Sequence, residues 1–127
     1  MSGVTPMIYK RGETFRYEFN PAIDCAFSII RFANKSIESG KGQGKIIDIS
    51  PNGCKLSSKL NIPVENEVTI KIRFKINNEL IEAVAVLIWK RMDKHSLYIY
   101  GVKFVNTKEI EDLITNELKI FIKSGKK

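Results

Sequence analysis

The chain predicts an all-β fold: a small antiparallel β-barrel of about six strands, followed by one C-terminal amphipathic helix. Three observations lead there. Val68, Ile70, Ile72, Phe74 and Ile76 alternate with Thr69, Lys71, Arg73, Lys75 and Asn77, the period of a half-buried strand. Other short apolar runs are separated by breaks rich in Gly, Pro and Asn, which suit hairpin connections. Only beyond Asn106 does the spacing change, with Ile110, Leu113, Ile114, Leu118 and Phe121 recurring at helical intervals.

The elements follow in order. Residues 1–8 read as a flexible leader, 9–122 as one domain and 123–127 as a basic tail. A first strand begins near Phe15, is interrupted at Asn20-Pro21 and continues toward Phe32, with Cys25, Phe27 and Ile29 on one face. Ser36 to Gly44, with Gly40, Gly42 and Gly44, reads as a flexible connection. Short strands then flank the polar turn Asp48-Ile49-Ser50-Pro51-Asn52-Gly53, and Asn61-Ile62-Pro63-Val64 breaks the chain before the alternating strand. Asn77-Asn78 turns into Leu80–Trp89, which is apolar at both parities and so asks for cover on two sides, from the barrel core and from a helix. Trp89 and Phe104 are expected in the core, and Tyr98–Phe104 supplies the last strand. Asn106 with Glu109 has the spacing of a capping box, with Thr107 a rival cap, and the helix should end before Gly125.

Composition bounds the function. Of 127 residues, 43% are apolar and 28% charged, which supports a folded core without a membrane span. The absence of such a span and of a secretory signal at Met1–Met7 favours the cytoplasm. The net charge of +7 points to anionic partners. Cys25 and Cys54 have no metal-binding or redox spacing and read as small core fillers, and His95 falls at a hairpin tip. No carboxylate pair, nucleophile elbow or phosphate loop is present, so the chain reads as a non-enzyme without metal or cofactor.

Two segments carry the candidate site. Lys10, Arg11 and Arg16 sit just before the first strand, and guanidinium forks suit phosphates as well as base stacking. Asp48 and Ser50 share a side if the strand persists through them, and converge either on a ligand or on their own backbone as an Asx- or ST-type turn. Gly53 is expected to allow a positive φ there. The Lys71-Arg73-Lys75 face could meet nucleic acid, but Phe74 points the other way and leaves that face without a stacking ring, which disfavours the reading.

These residues in this order resemble the PilZ domain family, small bacterial receptors for cyclic di-GMP. The second family motif, Asp/Asn-x-Ser-x-x-Gly, is matched by Asp48, Ser50 and Gly53, and Trp89 with Tyr98–Phe104 resembles the closing strands. The first motif, Arg-x-x-x-Arg, is matched at Arg16, while Gly12 falls on its first arginine and Arg11 on the arginine that often precedes it. The resemblance implies a cyclic di-GMP receptor without cofactor, with Lys10, Arg11, Arg16, Asp48, Ser50 and Gly53 as ligand-binding residues. It implies in turn that ligand changes the surface offered to a protein effector. The alternative is a PilZ-like interaction module that does not bind the nucleotide.

Overall fold

A computed structural model describes residues 16–37, 40–105 and 108–125. Its elements are β1 (Tyr17–Phe32), β2 (Lys35–Ser36), β3 (Gly42–Ser50), β4 (Gly53–Ser58), β5 (Val68–Lys75), β6 (Leu80–Met92), β7 (Tyr98–Phe104) and α1 (Lys108–Lys123). All pairings are antiparallel, in the order β2-β1-β3-β4-β7-β6-β5, and β1 also pairs with β5. That last pairing closes six strands into a barrel, with β2 as a short addition.

β1 achieves closure by its length. Tyr17 to Phe27 face β3, while Cys25 to Phe32 face β5, so one strand serves both sides of the seam. The expected interruption is present: Asn20-Pro21 is a cis peptide, and the β3 register shifts between Glu18 and Ile23. Proline has no ladder donor, so pairing yields there. Ala33 and Asn34, both at positive φ, form the tight turn into β2. The chain re-enters the sheet at Gly42, so the connection after Ser36 is shorter than the glycines suggested.

Alternation decides what faces inward. Val68, Ile70, Ile72 and Phe74 are buried along β5, as are Ile81, Ala83, Ala85 and Leu87 along β6. Ile46, Ile49, Leu56, Tyr100, Val102 and Phe104 complete most of the remaining core, and Cys25 and Cys54 lie within it as free thiols. The Tyr100 hydroxyl donates to the Leu60 carbonyl and accepts from the Ile62 amide, pinning the β4–β5 connection.

Two expectations are corrected. Trp89 is not a core residue: a register shift between Leu87 and Trp89 reverses the parity of β6, and Trp89 emerges 37% exposed. Nor does α1 cover the second face of β6, where Leu80 and Ile88 stay exposed. The rings of Tyr17, Phe19 and Phe121 meet edge to face at 5.2–5.6 Å, and Asn77 donates to the Glu117 carbonyl and carboxylate. The helix therefore sits on the start of β1 and the β5–β6 turn, with Ile114, Leu118 and Phe121 buried. The proposed caps Asn106 and Thr107 lie outside the described residues. No helix among the described residues is long and apolar enough to cross a membrane.

Candidate functional site

A second parity change builds the site. The β3–β4 register shifts between Ile46 and Asp48, so Ile46 and Ile49 both point inward while Asp48 and Ser50 share the outer wall. Across the sheet, Asp48 pairs with Lys55, Lys55 with Gly101 and Gly101 with Trp89. The next row runs Ser50, Gly53, Lys103 and Val86. Two short rows thus bring together a carboxylate, two lysines, a hydroxyl and an indole.

Asp48 is nearly enclosed, its side chain 7% exposed, yet both oxygens face cations. Arg16 Nη1 donates to Oδ1, and Lys55 Nζ lies 3.5 Å from Oδ2. A buried carboxylate requires such partners, because desolvation alone disfavours its charge. The two cations differ in how they are held. Lys55 stands on a strand paired on both sides, whereas Arg16 precedes β1 and its side chain is 49% exposed.

Ser50 behaves as a turn builder. Its Oγ accepts from the amides of Asn52 and Gly53 at 3.3 and 3.2 Å and donates to the Gly53 carbonyl at 3.3 Å. The ST-type turn read from the sequence is therefore present, with bonds at or just beyond the upper limit of the usual range. Gly53 is required for a reason other than the expected one. Its φ is not positive; instead a Cβ would lie 2.2 Å from the Val102 carbonyl oxygen, because β7 approaches the turn so closely. Gly101 has a similar role, since a Cβ there would lie 2.1 Å from Trp89 Nε1. The indole lies over that glycine, with the Arg91 guanidinium 5.8 Å from its ring centre.

Beside the turn opens a pocket of about 470 Å³ lined by Arg16, Ser50, Asn52, Gly53, Ile88, Val102 and Lys103. The structure thus brings Arg16, Asp48, Ser50 and Gly53 to one place. Lys10 and Arg11 lie outside the described residues, as does Gly12. Sequence reasoning missed Lys55, Ile88 and Lys103, for which strand register is the only signal. Elsewhere, His95 is an exposed tip residue, and Arg73 is tied to Glu82 at 2.6 Å, which holds that carboxyl below its usual range. Among the described residues no group of three or more His, Cys, Asp and Glu side chains could hold a metal ion.

The fold is a closed antiparallel barrel with an open pocket on its outer wall, formed at one hairpin and the start of the first strand and lined by two cations, Arg16 and Lys103. The family follows from the sequence as a whole: the PilZ domain model matches residues 14–118, and the chain belongs to that family. Among solved structures, the chain is similar to the PilZ domain with c-di-GMP of YcgR from Escherichia coli. The TM-score is 0.62 at 15% identity, over 91% of this chain and 95% of that one, a likeness of fold. No curated protein matches the chain.

Proposed function

We propose that this PilZ domain is a non-enzymatic receptor for cyclic di-GMP, the ligand held by the similar YcgR domain. The observation that carries the reading is the ion pair of Asp48 with Arg16, the arginine that lines the pocket. The N1–H and 2-amino group of guanine form a guanidine fragment with donors arranged like those of arginine. A carboxylate that accepts from a guanidinium is therefore shaped to accept from guanine. Base binding would exchange one guanidine for another at Asp48 and free Arg16 for a phosphate. Lys55 would stay behind as the counter-ion of the buried carboxylate.

The remaining parts suit the same ligand. Arg16, Lys55 and Lys103 against Asp48 leave a formal surplus of two positive charges, matching the two phosphodiesters of cyclic di-GMP. Ile88 and the Trp89 indole supply an exposed apolar ledge beside Gly101. The weakly bonded Ser50 hydroxyl can turn toward a ligand at small expense. Lys10 and Arg11 belong to the proposed site as further phosphate-binding residues of the leader. Release of Arg16 from Asp48 would shift the start of β1, altering the surface presented to a protein effector.

Isothermal titration with cyclic di-GMP tests the reading. The wild type should bind at micromolar ligand or below, and Asp48→Asn should weaken binding by about tenfold to a hundredfold, one charge-assisted hydrogen bond. Absence of uptake by folded wild-type protein would instead leave a PilZ interaction module that does not use the nucleotide.

A further inference from the structure

The cations around the pocket are not equally available. Arg16 and Lys55 both face the Asp48 carboxylate. Lys103 lines the same pocket, and its ammonium has neither a hydrogen bond nor an ion pair among the described residues. Its place on β7 explains this. Val102 and Phe104 point into the core, so Lys103 must point out. Its cross-strand neighbours are Gly53 and Val86, which offer no carboxylate. Because position 53 has no side chain, nothing on that row stands between the Lys103 stem and Ser50.

A charge at the wall of a pocket that no described residue holds is valuable to an anion, since binding need not first break an ion pair with the barrel. The leader needs such help, because Gly12 stands where the first motif arginine would fall. We propose that Lys103 is a phosphate-binding cation of this site, supplying from the barrel wall charge that Gly12 does not supply from the leader. This rests on the cyclic-dinucleotide reading above. Lysine acts here as a point charge rather than a planar fork, so Lys103 raises affinity without reading the base.

The test is titration of cyclic di-GMP into wild type, Lys103→Met and Lys103→Arg at low and high salt, with cyclic di-IMP as a second ligand. Lys103→Met should bind about tenfold more weakly at low salt, with a shallower salt dependence, because one screened attraction is gone. Lys103→Arg should recover most of the affinity, and Gly12→Arg added to Lys103→Met should recover part of it. The preference for guanine over hypoxanthine should not change in Lys103→Met. Equal affinity and salt dependence in wild type and Lys103→Met would overturn the proposal, as would a loss that Lys103→Arg does not restore or a changed base preference. If wild type binds no cyclic di-GMP, the receptor reading falls first and this proposal with it. If wild type binds and Lys103→Met binds equally, only this proposal falls.

Discussion

Asp48 is a buried charge held by two unlike partners. Each of its oxygens faces a cation, but one partner is fixed by strand register and the other arrives from outside the barrel. A fully hydrogen-bonded carboxylate held by two fixed strands would resist a ligand, and one with no partner would be too costly to bury. Glycine sets the space around it. At Gly101 the absence of a Cβ seats the Trp89 indole against the sheet, and Trp89 is the chain's only tryptophan. Gly101→Ala should lift the indole off its seat, because overlap at 2.1 Å leaves no room for both groups. The expected result is a red-shifted tryptophan emission and a stability loss of about 1–2 kcal/mol by urea titration, the scale of local overpacking. An unchanged emission maximum would mean that the indole does not depend on Gly101.

At the scale of elements, α1 connects stability to the site. Phe121 is 5% exposed and meets Tyr17 and Phe19 edge to face, at the strand end that follows Arg16. Phe121→Ala should destabilise the protein by about 3 kcal/mol, which lowers the thermal midpoint by roughly 10 °C for a chain of this size. It should also weaken cyclic di-GMP uptake severalfold by loosening the start of β1, whereas Phe121→Leu should keep most of both properties. Calorimetry and titration on the same samples check this; full affinity in a destabilised Phe121→Ala protein would separate the helix from the site. The elements also show what was legible in the sequence. β5 was readable because its alternation is unbroken from Val68 to Lys75. The Asp48-Ser50-Gly53 turn and Arg16 were readable as motif residues. Trp89 was misread because a bulge changes parity without changing composition, and hydrophobicity alone cannot locate it. Lys55 and Lys103 were invisible for a related reason: their proximity to Asp48 and Ser50 exists only once β4 and β7 are paired in register.

For the whole molecule, closure couples the site to the core. β1 reaches across the seam to β5, so its Cys25–Phe27 segment is paired on both sides, with β3 and with β5. The two thiols report on this. Cys25 pairs with Gly44 on one side and Phe74 on the other, and Cys54 lies opposite Ile49. Burial, then the neighbouring Asp24 carboxylate, pushes the Cys25 thiol up to about 12, and burial likewise raises Cys54 well above its ordinary value. In the unfolded chain both thiols lose their protons near 9, while the folded protein keeps them. The unfolded state therefore binds fewer protons above that pH. The stability gained from neutral burial is complete below about 9 and declines as pH rises toward 12. Urea midpoints of wild type should thus fall more steeply between pH 8 and 10.5 than those of Cys25→Ala/Cys54→Ala. At pH 8 a thiol reagent should label neither cysteine until the barrel opens, and both should then react at one rate set by global unfolding. Parallel pH slopes would show that the thiols ionise freely in the folded barrel, and labelling of Cys25 alone would show that the β1 seam opens by itself.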